Sequence, residues 1–256
     1  MERPLILVTN DDSITAPGIR NLVSFMNDLG DVVVVAPNSP QSGKGHAITI
    51  NSTLTYEEIS MDGPQKDYAL SGTPVDCVKF ALDKILTRRP DIVVSGINHG
   101  ANSSINVIYS GTMSAAVEAG VEGLNAIGFS LLDFSWDADF SQAKDYIQTI
   151  VRTTLENPLP KGMVLNVNIP KLKHQDIKGI KVCKQANAKW EENFDERTNP
   201  HGKKYYWLTG YFNNMDTSPD ADENALADGY ITIVPVKFDL TAHEHIKTLG
   251  DLYNQA

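Results

Sequence analysis

Asp11 and Asp12 stand side by side at the end of the run Ile6-Leu7-Val8-Thr9-Asn10. Adjacent carboxylates repel, so placing them together requires either free access to water or a cation between them. On a strand the two side chains would point to opposite faces, and on a helix they would diverge. In a turn leaving a strand, both can bend towards one point. Oxygen ligands alone suit a hard divalent cation such as Mg²⁺, Mn²⁺ or Ca²⁺. Ser42 and Asn98 offer further oxygens if the fold carries their loops, residues 38–46 and 95–112, to the same edge. The competing reading makes Asp11 a helix cap and leaves Asp12 solvated.

Ser110-Gly111-Thr112 opens the small-residue run 111–123. Free N–H groups and the dipole at a helix start attract anions, and a glycine there permits close approach. Asn102 lies on the same loop, while Asn10 and Gly43 flank the candidate cation ligands. These six residues form the expected phosphate- and substrate-binding set, the competing reading making Ser110 or Thr112 a simple N-cap. A cation beside an anion cradle suggests phosphoester hydrolysis, with Asp11, Asp12 and Asn98 as the catalytic group. The cation would activate water for attack on phosphorus; attack by Asp11 itself is the other route.

The elements that must position these residues follow from the hydrophobic pattern. Residues 4–9, 31–37, 90–96, 125–131 and 163–170 are apolar runs of the kind buried on both faces of a parallel sheet. Between them, 16–30, 73–86, 111–123 and 139–157 have helical character; Thr73 with Pro74 forms a start signal for the second. Shorter strands are expected at 46–50 and 67–72. The alternation predicts a doubly wound, Rossmann-like three-layer α/β fold with a mostly parallel sheet. In such sheets ligands bind beyond the carboxyl ends of the strands, where the polar loops fall. The eighteen-residue loop 95–112 is longer than compact domains usually carry without a functional reason.

After Pro170 the character changes. The segments Ile177–Gln185 and Lys203–Asn213 read as antiparallel strands, 230–240 as a strand, and 244–255 as a closing helix. The aromatic cluster Tyr205, Tyr206, Trp207, Tyr211 and Phe212 suits a hairpin arm that packs on a neighbouring subunit, or ordinary core packing. The chain is expected to be one domain over 1–256, with a core over 1–170 and an extension over 171–256.

The 256 residues carry 22 Lys plus Arg against 32 Asp plus Glu, a formal charge of −10, which argues against a nucleic-acid polymer as partner. A small anionic substrate remains compatible, because a bound cation reverses the local sign. Two distant cysteines, Cys77 and Cys183, suggest buried thiols in a reducing compartment. The apolar run at the N-terminus is too short for a secretory signal, and no stretch reaches the ~20 apolar residues of a membrane span. A cytoplasmic protein is expected.

Several alternative motifs fail. Residues 42–46 lack the first glycine and the final Ser or Thr of a P-loop, no GxGxxG follows the first strand, and His243-Glu244-His245 has the wrong spacing for a zinc helix. His46 and His99 lie in the loops of the expected active edge and are candidate acids.

The segments ILVTNDDSITAPGIRNL, SGKGHAIT, YALSGTPVDCV, DIVVSGINHGANSSINVIYSGTMSAAVEA, LNVNIP and GYITIVPVKFDLT together resemble the SurE family, the survival-protein-E nucleotidases. The resemblance runs from the first strand to about residue 241. It implies a metal-dependent phosphatase acting on nucleoside 5′- and 3′-monophosphates, in some members also on short polyphosphate. It also implies metal ligands at Asp11, Asp12, Ser42 and Asn98, and dimers or tetramers that exchange C-terminal arms. Lys44, Ala47 and the segment 199–211 depart from the family's usual residues.

Overall fold

The computed structural model describes residues 3–135 and 137–254. Its first half alternates β1 (Leu5–Thr9), α1 (Pro17–Asn27), β2 (Asp31–Pro37), β3 (Tyr56–Ile59), β4 (Lys66–Leu70), α2 (Pro74–Phe80), β5 (Ile92–His99) and α3 (Gly111–Val121). The second half continues with β6 (Ala126–Leu131), α4 (Lys144–Glu156), β7 (Met163–Ile169), β8 (Ile180–Val182), β9 (Ala188–Thr198), β10 (Lys204–Asn214), α5 (Asp222–Ala227), β11 (Ile231–Lys237) and α6 (Ile246–Tyr253).

Nine strands form one sheet in the order β3-β4-β2-β1-β5-β6-β7-β11-β8. The six strands from β4 to β7 run parallel, whereas β3 and β11 are antiparallel to their inner neighbours. Every residue of β1 is buried, as a central parallel strand covered on both faces requires. Ile19, Leu22, Val23 and Met26 of α1 join Ile147, Ile150 and Val151 of α4 in one core layer. Cys77 and Val78 of α2 and the alanines of α3 fill the other. Small residues let α3 lie close to the sheet: a Cβ on Gly128 of β6 would sit 2.3 Å from Met113 Sδ.

The chain leaves β1 towards β2 on one side and returns through β5 on the other. The switch point therefore lies between the carboxyl ends of β1 and β5, where the strand-end rule places a ligand crevice. Close packing fixes that junction. A Cβ on Gly18 of α1 would lie 1.9 Å from the Ile97 carbonyl oxygen, so only glycine lets α1 seat against β5.

The expected strand over 46–50 does not form. Its groups bond to a helix start instead of a neighbouring strand: the Thr49 N–H and hydroxyl donate to Asp76 at 3.0 and 2.5 Å, and Thr73 Oγ1 donates to the Ala47 carbonyl at 2.7 Å. Thr73 and Asp76 are the capping box of α2, consistent with the start signal. That helix is shorter than the predicted 73–86, because residues 81–85 widen into a π turn. Residues 140–143 likewise form a 3₁₀ turn ahead of α4.

In the C-terminal part the expected antiparallel partner of β10 is corrected. Strand β8 runs parallel to β11 inside the main sheet, and β10 pairs antiparallel with β9, a charged segment without a strand-like alternation. The β9–β10 pair forms a separate two-stranded sheet on which Tyr205, Tyr206, Trp207 and Tyr211 are exposed. Residues 243–245 form a 3₁₀ turn before α6, and Gln255 lies outside the described residues. No helix among the described residues is long and apolar enough to cross a membrane.

Candidate functional site

Three loops meet at the carboxyl edge of β1 and β5. The Gln41 N–H donates to the Asp11 carbonyl at 2.7 Å, tying the loop after β2 to the turn after β1. The Gly45 N–H reaches the Tyr109 carbonyl at 3.3 Å, joining that loop to the one after β5. Asn10 is buried and its amide holds the Ser13 carbonyl at 2.8 Å, while Ser13 adopts a left-handed φ of 89°. Beyond this turn Asp11 and Asp12 both border one cleft.

Asp11 does not cap the following helix: the N-cap of α1 is Ala16, with no side-chain bond. Its carboxylate instead lies at the start of α3, where Thr112 Oγ1 donates to Asp11 Oδ1. Gly111 makes this possible, since a Cβ there would lie 2.6 Å from Asp11 Cβ and 2.8 Å from Oδ2. Burial, followed by the neighbouring Asp12 charge, pushes the Asp11 carboxyl up to about 6 despite the Thr112 bond. Asp12 is half-buried and also raised by burial, opposed by the His99 N–H, the His99 ring and the Ser42 hydroxyl. Two adjoining acids are thus held in a site that disfavours their charges.

Asn98 stands past a β-bulge: the β5–β6 register shifts between the Ser95↔Gly128 and Asn98↔Ser130 pairs. Its amide nitrogen is engaged by the carbonyls of His99 and Gly100 at 3.2 and 2.8 Å. The side-chain oxygen is therefore the end left for a ligand.

Asp11, Asp12, Ser42, Gly43, Asn98, Asn102 and Ser110 line one cleft of about 550 Å³. Of the expected substrate set, Asn10, Gly111 and Thr112 are buried behind it. Ser110 is both a cleft residue and the N-cap of α3, accepting from the Met113 N–H at 3.0 Å. Asn102 is clamped: its N–H donates to Asn168 Oδ1 and its Nδ2 to Ser130 Oγ, both at 2.8 Å. Asn166 Nδ2 in turn holds the Asn102 carbonyl at 2.8 Å.

His99 lines the cleft, its ring edge-on to Phe140 at 5.0 Å. His46 lies elsewhere, bonded to Glu118 at 2.8 Å on the far side of α3, which removes it from the candidate acids of this cleft. Sequence reasoning missed Asn106, Tyr109, Trp190 and Glu223, which also line the cleft, and left Phe212 between an interface arm and core packing. Trp190, Phe212 and Glu223 arrive from the C-terminal part, far away in sequence and without a local motif.

The donor set suits a hard divalent cation. It is all oxygen, it contains two carboxylates whose repulsion a cation would relieve, and Asn98 presents an oxygen with its amide nitrogen fixed. No group of three or more His, Cys, Asp or Glu side chains among the described residues could hold a metal.

Fold and cleft together define a Rossmann-like α/β protein with an acidic, oxygen-lined site at its switch point. Residues 6–192 match the family model described as survival protein SurE. The chain is 66% identical over 251 residues to a 5′-nucleotidase SurE of Christiangramia forsetii, covering 97% of this chain and 96% of the relative. It is 64% identical over 250 residues to a 5′-nucleotidase SurE of Flavobacterium johnsoniae, with 97% and 96% covered. A crystal structure of the SurE protein from Aquifex aeolicus superposes with a TM-score of 0.85 at 35% identity, covering 97% of this chain and 99% of that one. The chain belongs to the SurE family.

Proposed function

We propose that the protein is a metal-dependent nucleotidase that hydrolyses nucleoside 5′- and 3′-monophosphates to nucleoside and phosphate. The observation that carries this reading is the convergence of Asp11, Asp12, Ser42 and Asn98 on one cleft beside the start of α3. These four residues would hold a single divalent cation, Mg²⁺ or Mn²⁺. Bound there, the cation would offset the phosphoryl charge and activate water for attack on phosphorus.

The remaining roles belong to the chain itself. Thr112 and the first turn of α3 orient Asp11, and the close approach of Gly111 keeps it against that turn. Ser110 and the clamped Asn102 face the cleft and position phosphoryl oxygens. Asn10 acts from behind, holding the turn that presents both carboxylates. Gly43, with a left-handed φ of 72° and no atom within 4 Å of a Cβ position, leaves the rim of the second loop open to substrate.

A cytoplasmic setting is supported by two free, buried cysteines, both with thiols pushed up by burial. A homodimer or homotetramer is supported by exposed apolar side chains on the C-terminal part, Trp207 and Tyr211 on β10 and Ile246, Leu249 and Leu252 on α6. The 1–256 chain would form one domain, with the C-terminal extension supplying the arm. Light scattering tests the assembly.

The catalytic proposal is tested by Asp11→Asn in a phosphate-release assay with Mg²⁺ or Mn²⁺ across a nucleotide panel. Loss of release with a preserved melting transition is expected; unchanged turnover would sink the reading. The same panel separates the enzyme from a non-catalytic nucleotide sensor, which would bind nucleotides and release no phosphate.

A further inference from the structure

The cleft has a second half that the reaction centre does not use. On one side stands Glu223, at the start of α5 and half-buried. On another stands Trp190 of β9, fixed by its indole N–H on Asn106 Oδ1 at 2.9 Å and by an edge contact with the Phe212 ring at 5.6 Å. Tyr109 adds a third, exposed wall.

Glu223 is unlike its neighbour Asp222. Asp222 is fully buried and accepts the backbone N–H groups of Ser104, Ala186 and Glu223 at 2.8 to 2.9 Å, a purely structural use. Among the described residues, Glu223 receives only the Ser103 hydroxyl, on Oε1. No cationic side chain among the described residues forms an ion pair with it, and burial, followed by the Asp222 charge, raises its carboxyl. A half-buried carboxylate with an open oxygen in a cleft needs a hydrogen-bond donor. A phosphate would be repelled there. A neutral group bearing hydroxyls would not.

The geometry points to Glu223 as the acceptor for the ribose hydroxyls of a bound ribonucleoside, beside the aromatic wall at Trp190 that stacks the base. This assignment rests on the nucleotidase reading and deepens it. The phosphoryl group lies towards Asp11, Asp12 and Ser110, and the sugar lies across the cleft on Glu223. An acidic side chain on a sugar hydroxyl is an established recognition device in other α/β nucleotide sites. Aromatic stacking is tolerant of base identity, so selection in this half of the cleft falls on the sugar.

The test is calorimetric binding of adenosine and 2′-deoxyadenosine, neither of which can be hydrolysed, to the full chain in Mn²⁺. A lost hydrogen bond to a charged acceptor corresponds to about a tenfold weaker Kd for the deoxynucleoside. In Glu223→Ala the two ligands should bind within about twofold of each other, whereas Glu223→Gln, whose amide oxygen still accepts, should show a preference smaller than the native one. A purely structural role would weaken both ligands equally and keep the preference. Equal binding of both by the native chain, or the native preference retained in full in Glu223→Ala, overturns the assignment. Phosphate release from adenosine monophosphate by the native chain is measured alongside. Its absence would refute the nucleotidase reading without touching the binding result.

Discussion

Gly111→Ala isolates the contact on which the reaction centre depends. Within a first helical turn, alanine is favoured over glycine by roughly 0.5–1 kcal/mol in backbone entropy, so the change carries no intrinsic folding penalty. The new methyl group, however, would lie 2.6 Å from Asp11 Cβ, 2.8 Å from Oδ2 and 3.0 Å from Cγ. An ordinary carbon contact is about 3.5 Å, so Asp11 must retreat by nearly 1 Å from the start of α3. A misplacement of that size in a catalytic group costs on the order of 10²-fold in turnover. The expected outcome is a melting temperature within a few degrees of native together with a ~10²-fold fall in phosphate release and weaker Mn²⁺ dependence. The assay is a metal titration of nucleotide hydrolysis, paired with a thermal melt. Turnover within threefold of native would refute the claim that the Gly111–Asp11 contact sets the geometry.

With metal removed by chelator, Asp11→Asn should stabilise the fold. A carboxyl raised from 3.8 to about 6 costs stability above its own titration, and one pKa unit is about 1.4 kcal/mol, giving roughly 3 kcal/mol at pH 7. The native chain loses that stability as pH rises from about 4 to 6, so the gap between variant and native should open over that window in denaturant titrations. A gap independent of pH would refute the assigned cause. Arg20→Ala should destabilise by about 3 kcal/mol, because Asp67, 1% exposed, would lose its cation at 2.6 Å. A chemical melt shifted by less than 1 kcal/mol would show that Gln65, whose amide bonds the same carboxylate, compensates alone. Asn98→Ala should lower turnover by at least tenfold without moving the melt, since its amide nitrogen bonds only carbonyls at the cleft rim.

The parallel core was legible because its strands are continuous apolar runs separated by helices with local start signals, Thr73-Pro74 above all. Asp11, Asp12, Ser42 and Asn98 could be grouped for a related reason: Asp11, Asp12 and Ser42 follow β1 and β2, Asn98 sits at the carboxyl end of β5, and these strand ends share one edge. The helix-start argument pointed to the first turn of α3 as a phosphate cradle. In the structure that turn is engaged by Asp11 itself, a contact between residues far apart in sequence that no spacing encodes. The strand expected at 46–50 failed because alternation cannot reveal that Thr49 bonds to a helix-capping aspartate. Strand β9 was missed because its charged residues face solvent on both sides of a two-stranded ribbon, which removes the hydrophobic period. Trp190 and Glu223 reach the cleft through that ribbon and through α5, so their place was decided by tertiary folding alone.

The central claim is that Asp11 and Asp12 are held together for a divalent cation. The most direct measurement is the anomalous difference map of a crystal soaked in Mn²⁺. One peak within coordination distance of the Asp11, Asp12 and Asn98 oxygens is the result expected. A map with no peak at that point, from crystals that diffract well and remain active in solution, would contradict it.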